Sequence, residues 1–233
     1  GTITNEDAEP AFTGMGGRGL TSSFISKEVP PTCDPLGPEN KLIFAPGYLS
    51  GSPLVNTSRL SIGSKSPLTG TIKESNVGGT VAADLGHIGI SAIIIEGQPE
   101  KNKSFVLQID QAGNAALADG TAFWGKRTYD LVAALKDAHG DDYSITCIGP
   151  AGEFQLTAAS IQTTDTDGRP CRAAGRSGLG AVMGSKGLKA LLVEKNAKSS
   201  ESIQDPGAFK ESAKIFAKAV MADEFTEELA ELG

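Results

Sequence analysis

The segment GRPCRAAGRSGLGAVMGSKGLKAL, residues 168–191, concentrates arginines and glycines in a very short part of the chain. Arg169, Arg172 and Arg176 supply planar guanidinium donors. Glycines let a ligand approach the backbone closely and reach its N–H groups. Three glycines lie close to these arginines, at Gly175, Gly178 and Gly180. The pattern predicts an anion-binding loop, although composition alone equally allows a tight turn with solvated arginines.

The same segment predicts a short helix over Leu179–Ser185, with its N-terminus directed at the arginines, and a strand over Leu188–Val193. Two common phosphate motifs are absent. A P-loop needs Lys directly after Gly, but the order at 184–186 is Gly-Ser-Lys, and a dinucleotide fingerprint needs Gly where Met183 stands. The sequence therefore does not support an ATP or NAD site.

Composition restricts the possible partners. The net charge of −7 argues against nucleic acid or an acidic membrane surface, which both require a broad basic face. No apolar run approaches the roughly 20 residues of a membrane span, and the first residues, GTITNEDAEP, lack the pattern of a signal peptide. We therefore expect a soluble, cytoplasmic protein with no membrane partner.

The cysteines and histidines are isolated from one another. Cys33, Cys147 and Cys171 include no Cys-x-x-Cys pair, so they predict neither a zinc site nor an iron–sulfur cluster. Cys147 lies in an apolar run and is expected in the core. Cys171 lies between arginines, which predicts a lowered pKa and leaves a reactive thiol as an alternative. His87 and His139 have no neighbouring nucleophile, so a hydrolase triad is not expected.

The predicted elements occur twice in the same order. A helix at Gly17–Ile25 precedes a strand at Lys41–Ala45, and a helix at Tyr129–Ala138 precedes a strand at Ser144–Ile148. Strand-like segments, an arginine and a glycine-rich turn follow in each half. Strands are also predicted between the halves, at Ala92–Glu96, Ser104–Ile109 and Asn114–Leu117. We predict a duplicated α+β fold with two mixed β-sheets and short helices related by a pseudo-two-fold axis.

The last residues differ from the rest. Asp205 and Pro206 predict a helix start, and apolar residues follow at helical spacing to the end of the chain. Such a face needs a partner. We divide the chain into a base domain, 1–200, and a helical tail, 201–233, which either folds back or begins a further domain.

Several blocks together resemble a known family. The resemblance extends in order from about Gly14 to Glu194, and it is to the N-terminal domain of the tungsten-containing aldehyde:ferredoxin oxidoreductases. The blocks are DPLGPENKLIFAPGYLSG, SRLSIGSKSPLTGTIKESNVGG, IIIEGQPEK, FWGKRTYD, CIGPAGE and CRAAGRSGLGAVMGSKGLKAL.

The resemblance implies a duplicated domain that forms the base for a tungsten bis-pyranopterin cofactor. It implies that Arg59 and Arg172 contact the cofactor and that backbone oxygens of Asn76 and Ala173 bind a Mg²⁺ ion bridging the two pterin phosphates. No catalytic residue is expected in this chain. The full set of implied cofactor-binding residues is Arg59, Asn76, Gly78, Gly79, Arg172, Ala173, Gly175 and Arg176.

In the complete enzyme the resemblance implies oxidation of aldehydes to carboxylic acids, with ferredoxin as electron acceptor and a 4Fe-4S cluster held by domains that this chain lacks. The chain alone is expected to be inactive. It departs from the family at Thr57-Ser58, at Cys171 and in the polar stretch TTDTDGRP, and the usual N-terminal strand before the first helix is missing or short. The substrate, the choice between tungsten and molybdenum and the oligomeric state stay open. Alternatives are a stand-alone phosphate-binding module or a structural subunit of a split oxidoreductase.

Overall fold

The computed structural model describes residues 1–100, 103–195, 197 and 203–232. Short 3-10 turns occur at Pro10–Phe12 and Thr121–Phe123. The helices are α1 (Gly17–Glu28), α2 (Val81–Ile88), α3 (Thr128–His139), α4 (Pro150–Glu153), α5 (Leu179–Ser185), α6 (Pro206–Met221) and α7 (Glu224–Leu232). The strands are β1 (Leu42–Pro46), β2 (Leu60–Lys65), β3 (Ile72–Val77), β4 (Ile93–Ile95), β5 (Phe105–Ile109), β6 (Ala115–Asp119), β7 (Tyr143–Cys147), β8 (Ile161–Thr163), β9 (Arg172–Ala174) and β10 (Leu188–Glu194).

The strands form two sheets. The first has four strands in the order β3-β2-β1-β4, and every neighbouring pair is antiparallel. The second has six strands in the order β6-β5-β10-β7-β8-β9, in which β10 and β5 are parallel. The expected α+β class is confirmed. Only the second sheet is mixed, because β5, which lies between the two repeated units in the chain, pairs parallel with β10.

The duplication is visible in the topology. The order α1-β1-β2-β3-α2-β4 is repeated as α3-β7-β8-β9-α5-β10, with the short α4 inserted. The strand orders β3-β2-β1-β4 and β9-β8-β7-β10 also correspond. Equivalent elements contact each other across the halves: α2 packs on β7, α5 packs on β1, and β3 meets β9. Such reciprocal contacts are what a two-fold relationship generates, so the prediction of two related halves is confirmed.

The main core lies between the two sheets. It joins apolar side chains of both halves, with α2 and α5 contributing Leu85 and Met183 and the strands contributing Phe44 and Leu191, all fully buried. Helix α1 covers the outer face of the first sheet. A Cβ on Gly63 would lie 2.5 Å from the Cβ of Thr21, so this strand residue has no side chain because the helix takes its place.

Most predicted elements are present with shifts of a few residues at their ends. The helix α2 was not predicted, and it contains His87. This helix is short and ends at Gly89, whose φ of 87° stops it after two turns. Cys147 is buried in the core as expected, and burial raises its pKa to about 12.

The tail begins as predicted. The Asp205 side chain accepts the N–H of Ala208 at 2.9 Å and caps α6, with Pro206 in the first turn. Helix α6 has no buried residue, and Ile215 and Phe225 stay well exposed. None of the helices in the described ranges has the length and apolar character needed to span a bilayer.

Candidate functional site

The two halves meet at the edge strands β3 and β9. Asn76 lies in β3 and Ala173 in β9, and both are exposed. These are the residues for which a metal-binding backbone oxygen was expected. The two carbonyl groups can face a common ligand only if each points away from the neighbouring strand of its own sheet. The register of each strand pair determines that direction.

In β3 the carbonyl of Asn76 points to the free edge of its sheet. The Ser66 N–H donates to the Thr71 carbonyl at 2.9 Å, which makes 66 and 71 a hydrogen-bonded pair. Pairs alternate along an antiparallel ladder, and the register is continuous from there to the pair of Ser61 with Asn76. That pair is therefore non-hydrogen-bonded, and the N–H and C=O of Asn76 point away from β2.

The same argument applies to β9. The Thr164 N–H donates to the Ile145 carbonyl at 2.9 Å, so the next hydrogen-bonded pair between β7 and β8 joins Cys147 and Gln162. The backbone groups of Gln162 thus face β7 and not β9. Its partner across β8 and β9 is Ala173, in a non-hydrogen-bonded pair. The carbonyl of Ala173 consequently also points out of its own sheet.

Arg59 lies next to Asn76 on the surface of the first sheet. Its Nε donates to Oδ1 of Asn76, whose Nδ2 donates to Oγ of Ser61 at 3.3 Å. Its Nη1 lies 3.6 Å from where a Cβ on Gly78 would be. The Asn76 amide is therefore occupied by protein groups, and its backbone carbonyl is the oxygen left for a ligand.

The N-terminus of α1 lies at the same end of β2 as this arginine. Thr21 lies against Gly63 and the first turn lies against Ser61, so the helix runs along β2 with its start towards Arg59. Within the described part of the chain, no acceptor binds the N–H groups of residues 17–19. The helix dipole and these donors give the region a positive potential. The sequence predicted the helix itself but not that its N-terminus lies near the site. The glycine-rich segment GMGGRG, residues 14–19, was the available signal.

The sequence reasoning had assigned that role to α5, and this was wrong. Gly178, which precedes α5, is buried, and a Cβ there would lie 1.9 Å from the Thr157 carbonyl. The N–H of Gly180 donates to the Ala159 carbonyl at 3.0 Å. The helix begins inside the fold, where the loop residue Ala159 accepts one of its first N–H groups.

The three arginines of the opening segment have different environments. Arg172 and Arg176 are exposed, and neither guanidinium has an ion-pair partner among the residues that the structure describes. Arg169 is instead paired with Asp165 at 3.2 Å and with Asp167 at 2.5 Å. Two of the three arginines, Arg172 and Arg176, are therefore available to bind an anion. Arg169 instead stabilises the turn that contains Asp165 and Asp167.

Asp165 also decides the state of Cys171. The Cys171 thiol donates to the Asp165 carboxylate at 3.1 Å, and this hydrogen bond raises the pKa of the thiol. The expected lowering by the neighbouring arginines is wrong, because the bond to the carboxylate stabilises the neutral thiol more than they favour the thiolate. The pKa of Asp165 is held below its ordinary range, first by the backbone N–H of Arg169 and then by the thiol.

The glycines also divide by role. Gly79 has a φ of 115°, and a Cβ there would lie 2.5 Å from the Thr164 carbonyl, which accepts the N–H of Thr80 at 3.2 Å. Packing between the halves alone therefore requires glycine at this position. Gly175 is exposed, and an added Cβ would meet only the Ala173 side chain at 3.9 Å. Its surface is open to a ligand.

The donor set suits an anion held with a hard cation. The described residues contain no cluster of three or more His, Cys, Asp or Glu side chains that could hold a metal ion. The outward carbonyls of Asn76 and Ala173 are neutral oxygen ligands of the kind that Mg²⁺ accepts together with phosphate oxygens and water. Exposed guanidinium groups beside them match phosphate geometry.

A family model and two curated relatives all carry the name aldehyde ferredoxin oxidoreductase. The family model described as "Aldehyde ferredoxin oxidoreductase, N-terminal domain" matches residues 1–195. A tungsten-containing aldehyde ferredoxin oxidoreductase of Pyrococcus furiosus is 42% identical over 193 residues, which are 82% of this chain and 31% of the relative. The enzyme of the same name from Thermococcus kodakarensis is 44% identical over 181 residues, 77% of this chain and 29% of the relative.

More distant relatives have other names. The aliphatic sulfonate oxidoreductase, WOR-like subunit, of Pyrococcus furiosus is 32% identical over 206 residues, 82% of this chain and 31% of that protein. Among solved structures, the active site complex BamBC of benzoyl coenzyme A reductase with 1,5-dienoyl-CoA aligns with a TM-score of 0.78 and 31% identity, covering 85% of this chain and 30% of that one. The chain thus spans about a third of the length of the curated relatives that it matches.

Proposed function

Because this chain belongs to the aldehyde ferredoxin oxidoreductase family and corresponds to its N-terminal domain, we propose that it is the base that binds a tungsten bis-pyranopterin cofactor. In the complete protein, which we place in the cytoplasm, aldehydes are oxidised to carboxylic acids and ferredoxin takes the electrons. Residues 1–200 form the base domain, and residues 201–233 begin the part of the protein that follows it.

One observation carries the proposal for the site. The carbonyls of Asn76 and Ala173 point outward from two sheet edges that meet, one from each half of the duplicated fold. A cofactor with two similar pterin phosphates matches a base with two similar halves. We propose that the two carbonyls ligate the Mg²⁺ that joins the phosphates.

The arginines complete this site from both sides. Arg172 and Arg176 lie in the second half, exposed and without an ion-pair partner among the described residues, and Arg59 lies over Gly78 in the first half. They bind and orient an anionic, planar ligand by charge-assisted hydrogen bonds. Gly175 and Gly78 leave the backbone open to it, whereas Gly79 contributes by fixing the turn.

When bound, the metal and pterin supply the redox chemistry, and the protein supplies position and charge. The 4Fe-4S cluster lies outside this proposal for the chain itself, because Cys33 and Cys147 are buried apart and only Cys171 is exposed. The chain alone is therefore expected to carry neither tungsten nor iron and to lack oxidoreductase activity. Elemental analysis of the purified chain checks this, and stoichiometric iron would contradict it.

Aldehydes are the proposed substrate class because the relatives at 42% and 44% identity carry that name. The sulfonate and benzoyl coenzyme A relatives show that domains of this kind also occur in proteins named for other substrates. Aldehyde-dependent reduction of ferredoxin by the complete protein, purified without oxygen, tests the activity. Tungsten-loaded protein that fails to reduce ferredoxin with every aldehyde tested, but reduces it with a reductant of another class, would overturn the proposed substrate class.

A second role, as a subunit of a divided oxidoreductase, is favoured by the subunit named among the relatives and by the complex found among solved structures. Co-purification from the native source distinguishes a divided enzyme from a single-chain enzyme. A separate chain that holds the iron–sulfur cluster supports the divided enzyme, and a single longer polypeptide supports the first proposal.

The anion site can be tested on the chain itself with pyrophosphate and Mg²⁺ in isothermal titration calorimetry. Arg172→Gln and Arg176→Gln are each expected to weaken binding about tenfold, since each removes a charge-assisted hydrogen bond. Arg169→Gln is the matched control, because its guanidinium is already paired with Asp165 and Asp167. Equal losses in all three variants would contradict the assigned site.

A further inference from the structure

The turn that follows β9 has a backbone that needs external support. Ser177 has a φ of 69°, which is unusual for a residue with a side chain, and Gly178 follows with a φ of 67°. Such conformations persist only where the surroundings hold them in place. The turn begins directly after β9 and carries Arg176, so its position sets where that arginine and the end of β9 lie.

Two serines of the other half hold this turn. The N–H of Arg176 donates to Oγ of Ser75 at 3.2 Å, and Oγ of Ser66 donates to the Ser177 carbonyl at 2.7 Å. Both serines are buried, with 3% and 0% of their surface exposed. Ser66 precedes β3 in the chain, and Ser75 lies within β3, next to Asn76. We call Ser66 and Ser75 the serine clamp.

The clamp connects the two carbonyls of the proposed metal site. Ser75 is the chain neighbour of Asn76, and Arg176 lies three residues beyond Ala173 in the same strand-and-turn segment. A shift at the bond between Ser75 and Arg176 therefore changes the separation of the Asn76 and Ala173 oxygens. Mg²⁺ demands near-ideal octahedral geometry with short bonds to oxygen, so it tolerates such a shift poorly.

We propose that Ser75 is a positioning residue that, together with Ser66, fixes β9 and the Arg176 turn against β3 and so sets the metal-ligand spacing. This rests on the proposed function of the site. The serines bind no ligand themselves. They act through the backbone of Arg176 and Ser177, and both serines are buried whereas Asn76 is exposed.

The experiment uses the ¹⁵N-labelled chain with Mn²⁺ and pyrophosphate as the probe. In the wild-type chain, paramagnetic broadening is expected to affect amide signals near Asn76 and near Ala173 together. Ser75→Ala removes the acceptor of the Arg176 N–H, so hydrogen exchange at that amide should become about tenfold faster, and the Mn²⁺ concentration for half-maximal broadening about tenfold higher. Ser104→Ala is the matched control, because Ser104 is equally buried and its Oγ has no partner among the described residues.

The outcomes separate the two proposals. Wild-type chain in which neither segment broadens overturns the proposed metal site and the positioning role with it. Joint broadening in the wild type that is unchanged in Ser75→Ala overturns the positioning role and leaves the metal site standing. If Ser75→Ala does not fold, Ser75→Cys keeps a similar volume with a weaker acceptor, and the same two readouts apply. Faster exchange at Arg176 with weaker Mn²⁺ binding supports the proposal.

Discussion

Asn76 and Ala173 lie in edge strands of different sheets, and the carbonyl groups of both point out of their own sheets at the place where those edges meet. The direction of each carbonyl follows from the alternation of hydrogen-bonded and non-hydrogen-bonded pairs, because every second residue of an edge strand directs its backbone groups outward. The duplicated fold thereby directs one of these two carbonyls outward from each half.

Glycine substitutions distinguish packing from ligand access. Gly79→Ala is expected to lower the free energy of unfolding by more than about 2 kcal/mol, because it adds backbone strain and a clash with the Thr164 carbonyl. Gly175→Ala should leave stability nearly unchanged but weaken pyrophosphate binding. Urea unfolding and calorimetry measure the two effects. A stable Gly79→Ala chain would contradict the packing role.

The buried Lys186 makes stability depend on pH. Burial lowers its pKa to about 8, although Cys33 and Glu96 nearby act in the opposite direction; its Nζ donates to the Gly37 carbonyl at 3.0 Å. The unfolded chain binds this proton more tightly, so protonation opposes folding below pH 8, and stability rises as the pH increases from there.

The matching variant is Lys186→Met. Relative to it, the wild-type chain should gain about 2 kcal/mol in unfolding free energy between pH 7 and pH 10. Urea unfolding at the two pH values measures this difference. Lys210→Met on the exposed side of α6 is the control and should show no relative change. A flat difference for Lys186→Met would mean that the amine titrates as it does in water.

The ion pair of Lys189 with Glu153 is completely buried. Glu153 also accepts the Gly125 N–H at 3.0 Å, next to Trp124, the single tryptophan of the chain. Glu153→Gln leaves the lysine charge without its partner and should cost about 3–5 kcal/mol of unfolding free energy.

Tryptophan fluorescence at low denaturant should change in the same variant, because the loop that carries Trp124 loses its anchor. Glu100→Gln, in an exposed pair with Lys103, is the control and should leave both signals unchanged. Loss of stability without a change in fluorescence would show that Glu153 does not position the loop.

The exposed thiol of Cys171 should be alkylated more slowly than other exposed cysteine thiols. Its hydrogen bond to Asp165 raises the pKa, so alkylation by iodoacetamide near pH 8 is expected to be slower than that of an unperturbed cysteine. Asp165→Asn removes the negative charge and should speed the reaction several-fold. Mass spectrometry of the modified peptide measures the rate, with buried Cys147 as the unreactive reference. An unchanged rate would mean that the carboxylate does not control the thiol.

Much of the fold could be predicted from local patterns. Helical spacing in Tyr129–Ala138, apolar runs such as Ser144–Ile148 and the glycine turns placed most elements within a few residues, and their repeated order indicated the duplication. These features depend on neighbours along the chain, so the sequence carries them directly. The family resemblance also selected Arg59, Asn76, Arg172 and Ala173 as site residues, and that assignment stays a prediction.

Tertiary structure decided what each of these residues is free to do. Arg169 and Arg172 stand in the same arginine-rich segment, yet only Arg169 is neutralised, by the acids of its own turn. At the start of α5 the N–H of Gly180 donates to the Ala159 carbonyl, whereas at the start of α1 the N–H groups of residues 17–19 bind no acceptor among the described residues. The outward direction of the Asn76 and Ala173 carbonyls depends on strand register, which pairing between distant segments sets. No local pattern encodes these relationships, because burial and pairing partners exist only once the halves have packed.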